Sequence, residues 1–318
     1  METYQKPQKH IWTGRDSGRK LYVHEKVSCV PVSSIEMETE KQFVLLGYAC
    51  DEGVKRNHGR VGAEVGPLEI RKQLGKMPNH LNEDQFLIDA GDLFCPYGNM
   101  EETQKELSTK VYEILKKNAL PIVIGGGHDV AYGHFNGIKQ YLHEQANKPT
   151  IGIINFDAHF DLRNNDQGNN SGTPFYQIAQ ENESFHYLCL GVRKDANDAE
   201  LFATADKLEV TYLMKDTFRI QFVEEINKWI RAFLKKVDVV YVTIDLDGFS
   251  SAYAPGVSAP SPMGFSPDIV TESLETIISS GKLISFDIAE MNPDYDSDHL
   301  TAKLAASLIH KVIHAEYA

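Results

Sequence analysis

Seven short apolar runs punctuate this chain, at residues 42–48, 85–91, 120–127, 150–159, 185–192, 237–247 and 283–290. Each carries Gly, Asp or His near its end and is followed by a stretch with helical periodicity. The runs are rich in Val, Ile, Leu and Phe and mostly do not alternate with polar residues. Strands covered on both faces of a parallel sheet read this way. Segments 101–117, 129–145, 218–236, 266–279 and 298–316 read as helices. The alternation predicts an α/β protein, three-layer α/β/α, around one central and mostly parallel sheet. No internal repeat or Pro/Ser-rich linker divides the chain, so residues 41–318 are expected to form a single domain. Residues 1–40, polar and weakly patterned, are expected to be an N-terminal arm packed on it.

Composition narrows the partners. Lys and Arg number 32 against 45 Asp and Glu, a net charge of −13. Nucleic acid and anionic membrane surfaces would be repelled over most of such an exterior. No apolar run approaches the roughly 20 residues that span a bilayer, and METYQKPQKH lacks the apolar core of a secretory signal. The four cysteines, Cys29, Cys50, Cys95 and Cys189, have no CxxC spacing. A cytoplasmic protein acting on a small molecule is the expectation.

Three clusters of metal-type side chains follow apolar runs, at the sheet edge where α/β proteins bind ligands. They are Gly125-Gly126-Gly127-His128-Asp129, Asp157-Ala158-His159-Phe160-Asp161 and Asp245-Leu246-Asp247. In an extended backbone, side chains at i, i+2 and i+4 share one side. Asp157, His159 and Asp161 would then converge, as would Asp245 with Asp247, and His128 adds a second imidazole from a third strand. Asp after a strand also serves as a turn residue or helix N-cap, and one DxD alone would carry little. Four ionised carboxylates in one site repel one another and resist desolvation, whereas two divalent cations balance them. Oxygen ligands with two nitrogens and no thiolate suit Mn²⁺ better than a structural Zn²⁺ site. A phosphate-loop role for the glycine run lacks the Lys and the spacing of the known motifs.

GGGHD, NFDAHFD and TIDLDGFSSAYAPGVSAPSPMG resemble the three metal-ligand signatures of the ureohydrolases, the family of arginase and agmatinase. DIAEMNP (287–293) resembles their fourth block, and GRVGAEVGPLEIR (59–71) their N-terminal glycine-rich loop. Trp12-Thr13-Gly14-Arg15, the stretch 46–67, Ser171-Gly172-Thr173-Pro174-Phe175 and Ala254 to Pro260 are most similar to the formimidoylglutamase branch. The resemblance implies an arginase-like fold and a homo-oligomer, trimer or hexamer. It also implies two Mn²⁺ per subunit and hydrolysis of N-formimidoyl-L-glutamate to L-glutamate and formamide, a step of histidine degradation. His128 and Asp161 would hold one ion, His159 and Asp247 the other, and Asp157 and Asp245 would bridge. Hydroxide between the ions would attack the formimidoyl carbon, and Asp161 would carry the proton to the leaving amine.

Glu290, after the run 283–289, would sit over the site and pair with the cationic amidine. Arg163 stands where relatives contact the substrate carboxylate, and Ser171 in the following loop is a second candidate. Arg60 and Arg193 are further cations for a substrate with two carboxylates, each with an alternative role in a structural ion pair. The segment 254–260 is expected to wall the pocket. The chain departs from arginases in having Phe175 near the place of their proton-transfer His. It departs from many formimidoylglutamases in having Tyr176 where they carry Arg or His. A guanidino-compound hydrolase such as an agmatinase is the alternative enzyme, and an inactive binding homologue the non-enzymatic one.

Overall fold

The computed structural model describes residues 3–317, so the expected arm and domain lose only residues 1, 2 and 318 from view. Ten strands form one sheet: β1 (Tyr4–Gln5), β2 (Ser28–Cys29), β3 (Gln42–Ala49), β4 (Phe86–Phe94), β5 (Ala119–Ile124), β6 (Ile151–Phe156), β7 (His186–Val192), β8 (Thr211–Met214), β9 (Val239–Asp245) and β10 (Leu283–Ala289). Their order is β1-β4-β3-β5-β10-β9-β6-β7-β8, with β2 also paired to β4. Every pairing is parallel except β1 with β4.

Both faces of this sheet are covered, as the apolar runs require. Along β5, Leu120, Ile122 and Ile124 enter one core while Ala119 and Val123 enter the other. The first core is closed by helices Gly66–Leu74, Val223–Leu234, Pro267–Ile278 and Leu300–Ile313. The second is closed by Met100–Leu115, Val130–His143, Pro174–Gln180 and Ala199–Lys207. The result is the expected three-layer α/β/α architecture. Among the described residues no helix is long and apolar enough to cross a membrane.

Three helices of seven or more residues, the short helices Val23–Lys26 and Glu52–Arg56, and strands β1, β2 and β8 lie outside the segments read from periodicity. Gly66–Leu74 and Pro174–Gln180 open with Pro in the first turn, where its fixed φ suits a helix and its missing N–H is not needed. Ala199–Lys207 is started by Asp198, whose carboxylate accepts the Glu200 and Leu201 N–H groups.

Within residues 3–40, β1, β2 and Trp12 meet β4. Tyr4 donates its hydroxyl to Ala90 O at 2.6 Å, and the buried Trp12 indole donates to Asp89 Oδ2 at 2.8 Å. Asp89 also faces Arg71 Nη2 at 2.9 Å, and Arg71 Nη1 meets Asp92 at 2.5 Å. Arg71 is fully buried. A buried charge persists only when its partners replace water, so the arm and the edge of the sheet are keyed to each other at one place.

Candidate metal centre

Four neighbouring strands, β5, β10, β9 and β6, release their chains at the same sheet edge. His128 lies in the loop after β5, Glu290 directly follows β10, Asp245 ends β9, and Asp157 directly follows β6. His128, Asp157, Asp161 and Asp245 each place a ligand atom within 4.8 Å of the others, and so do Asp157, His159 and Asp247. Asp157 belongs to both sets, whereas Asp245 belongs to the first alone.

The side chains converge by a different route from the extended backbone expected. β6 ends at Phe156, and residues 157–161 leave the strand, with Asp161 in the left-handed region at φ +50°. Asp157 Oδ1 accepts the His159 N–H at 2.7 Å, and Asp245 Oδ1 accepts the Asp247 N–H at 2.7 Å. An Asp that bonds the backbone two residues on curls the chain into a turn. Each motif therefore folds its second acidic or imidazole group back over its first. Glu290 is also left-handed, at φ +69°. Conformations of this kind in bulky residues cost about 1–3 kcal/mol and gather at functional sites.

The loop carrying His128 is pressed against the end of β3. Gly127 N–H donates to Cys50 O at 2.9 Å, and a Cβ on Gly126 would stand 1.9 Å from that same oxygen. Only glycine fits there. The His128 ring is aimed by two contacts that periodicity did not reveal. Its Nε2 lies 3.0 Å from Thr243 Oγ1, and its ring meets the edge of buried Phe175 at 5.4 Å between centroids. Thr243 sits two residues before Asp245 on β9, so the same-face rule already applied to the Asp pair would have found it. Phe175 fills space beside His128, and Tyr176 borders an adjoining cavity instead of this one.

His128 Nδ1 is surrounded by Asp161 Oδ2 at 2.8 Å, Asp245 Oδ2 at 3.0 Å and Asp157 Oδ2 at 3.3 Å. None of the three is aligned as a hydrogen-bond acceptor, and the buried Nδ1 is left without a partner. Asp247 Oδ1 is likewise unpartnered, with His159 Nδ1 at 3.2 Å. Atoms that crowd to about 3 Å without pairing are arranged as ligands around a shared point. Two ligand atoms about 2.1 Å from one octahedral cation have this separation. The donor set of four carboxylates and two imidazoles, without thiolate, fits a pair of hard divalent ions.

Electrostatics agree. Burial pushes Asp247 up to about 6. Burial and then the charges of Asp247 and Asp157 hold Asp245 well above the usual carboxylate range. Burial opposes charge on Asp157 too, but the His128 and His159 imidazoles outweigh it and keep that carboxyl low. Glu290 is raised by burial and then by Asp245. Its Oε1 accepts the His128 N–H at 2.9 Å, and its buried Oε2 has no partner.

A cavity of about 420 Å³ opens over the cluster, with Asp161 and Glu290 among its lining. Arg60 and Arg163 are the Lys or Arg side chains that line it. Arg163 is exposed, and its guanidinium makes no hydrogen bond to a described residue. Ser171, buried, accepts from Asn57 Nδ2 at 3.2 Å on the same wall. Arg193 is held bidentately by Asp195 at 3.0 and 2.6 Å, away from this cavity, so it is not one of the free cations. Asn197, which motif reading missed, bonds the Ala158 and Arg193 carbonyls and the Phe160 N–H, fixing the loop that bears His159. No spacing signal marks it.

Residues 41–315 match the model of the arginase family. A formimidoylglutamase of Geobacillus sp. (strain WCH70) is 42% identical over 308 residues, covering 96% of this chain and 94% of its own. The crystal structure of formimidoylglutamase from Bacillus subtilis superposes with a TM-score of 0.83 at 23% identity, covering 95% of this chain and 93% of that one. Formiminoglutamase from Trypanosoma cruzi, solved with Mn²⁺₂, gives a TM-score of 0.75 at 23% identity, over 89% of this chain and 97% of that one. The family match spans every strand end that feeds the cluster, and on that ground the chain belongs to the arginase family.

Proposed function

We propose that this protein hydrolyses N-formimidoyl-L-glutamate to L-glutamate and formamide, using two Mn²⁺ ions held by His128, Asp157, His159, Asp161, Asp245 and Asp247. The observation that carries this is the likeness, over almost the whole chain, to formimidoylglutamases. The cavity supports it through the two arginines that line it, which suit an anionic substrate tail and oppose the cationic tail of agmatine.

When bound, the ions supply Lewis acidity that brings the pKa of water towards neutrality and balances the carboxylates. The remaining work belongs to the chain. Glu290, with an unpartnered buried oxygen, pairs with the amidine cation and turns the formimidoyl carbon towards the cluster. Water oxygen joins that carbon, the bond from carbon to the glutamate nitrogen breaks, and formamide departs. An amine leaves far better protonated, and Asp161, which lines the cavity, carries the proton. Arg163, with Ser171 beside it, receives a carboxylate of the tail.

Product analysis tests the assignment. Mn²⁺-loaded protein should release formamide and glutamate in equal amounts from N-formimidoyl-L-glutamate, and no urea from agmatine or arginine. Urea from either guanidino compound, without glutamate release, would sink the substrate assignment while leaving the metal centre intact.

A further inference from the structure

We propose that Arg60 is the positioning residue that fixes the wall of the cavity facing the substrate tail, acting through Val257 and Ser258. The identity of that tail rests on the function proposed above. The wall itself does not.

Gly59 and Arg60 lie against the segment 254–260. A Cβ on Gly59 would come within 2.5 Å of Ser258 Oγ, so this crossing needs glycine. One residue later Arg60 directs its backbone N–H, Nε and Nη2 onto the same segment. Its backbone N–H donates to Ser258 Oγ at 2.8 Å, its Nε to Ser258 O at 2.9 Å and its Nη2 to Val257 O at 2.5 Å. The guanidinium then stacks on Tyr295, 3.7 Å from the ring centroid. Tyr295 stands in the turn Pro293–Tyr295, five residues after Glu290. Asn292 closes the joint by donating Nδ2 to the Arg60 and Val61 carbonyls at 3.0 Å, while its N–H donates to Gly256 O at 2.7 Å. Three segments far apart in sequence therefore meet at one side chain.

Ser258 and Ala259 line the cavity directly. Their peptide planes are set by which way the Val257 and Ser258 carbonyls point, and a planar guanidinium fork fixes both at set angles, where the rotatable donors of an ammonium on a flexible stem hold them less firmly. Because Nε and Nη2 are already engaged, Arg60 is not free to swing onto a ligand. Arg163, exposed in the lining of the same cavity, is. Arg60 holds the shape and Arg163 meets the charge. Glu290 has separate support, its N–H donating to Gly126 O at 2.7 Å, so loosening the wall should leave the reacting end in place.

The test combines kinetics with backbone hydrogen exchange on full-length Mn²⁺-loaded protein. Arg60→Ala should raise KM for N-formimidoyl-L-glutamate about tenfold or more, with kcat changing less than about threefold. Exchange should accelerate at 254–260 and 292–295 but not in the sheet, manganese content should match wild type, and Arg60→Lys should fall between. A raised KM with unchanged exchange would overturn the proposal by making Arg60 a direct substrate contact. Unchanged KM, or joint loss of kcat and manganese, would overturn it equally. If wild-type protein does not turn over this substrate, the assigned function fails, and the exchange at 254–260 still decides the role of Arg60.

Discussion

Glu290 does two things with one carboxylate: Oε1 holds the His128 N–H, and Oε2 is left for a ligand. Glu290→Gln keeps an acceptor for that N–H and removes the charge. We expect kcat/KM to fall about 10- to 100-fold, the worth of a charge-assisted hydrogen bond, with manganese content unchanged by elemental analysis. Loss of manganese along with activity would show a structural role instead. Thr243 tests the aim of His128 from the other side of the ring. Thr243→Val removes the partner of Nε2, and such outer contacts are worth roughly 10–100-fold in metal affinity. Manganese titration of the variant should show one weakened site and one of wild-type affinity. At this scale most of the candidate site was legible, because metal chemistry demands particular side chains and His, Asp and Glu are visible as letters. Thr243 was open to the same-face rule that pairs Asp245 with Asp247, and Phe175 was noted without its contact to His128, whereas Asn197 was not legible, since Asn has no chemistry that singles it out before its neighbours are known. Arg193 takes the structural ion pair named for it as the alternative, its charge being taken up by Asp195 two residues away.

Elements built from long apolar periods were read correctly, and what failed was their ends. An extended backbone was to carry Asp157, His159 and Asp161 on one side, yet the Asp157 side chain captures the His159 N–H and turns the chain after Phe156. Side-chain capture competes with the strand and wins where the sheet offers no partner. A second local device ties helix Leu300–Ile313 to the loop before β4. His314 Nε2 accepts the His80 N–H at 3.0 Å, and its Nδ1 donates to His310 O at 2.9 Å. The ring must be neutral to do both. Burial and then His310 depress its pKa to about 4, and His80 adds to this, against about 6.5 in the unfolded chain. Between those values the unfolded chain binds a proton that the folded one refuses. The contribution is thus fully present above about pH 6.5 and is lost as pH falls towards 4. Urea midpoints at pH 7.5 and 5 should differ less in His314→Gln than in wild type. Equal differences would remove His314 from the acid response.

Across the whole molecule, the centre exists because the sheet order sets β5, β10, β9 and β6 side by side. Residues 128, 157, 245 and 290 are scattered over more than half the chain, and neither periodicity nor composition states which strand ends will be neighbours. Resemblance to ureohydrolases supplied the shared ligand set, and the sheet order that brings it together is seen only in the structure. The same placement couples metal to fold. Crowded, buried carboxylates oppose one another until cations arrive, so ions that bind the folded state alone should also stabilise it. The shared position of Asp157 in both ligand sets makes two ions, not one, the central claim. It is tested most directly by counting manganese per chain after chelation and reconstitution while following glutamate release. Two equivalents should bind, with activity absent in the chelated protein and complete only as the second site fills. Full activity at one equivalent, or with none, would contradict the account.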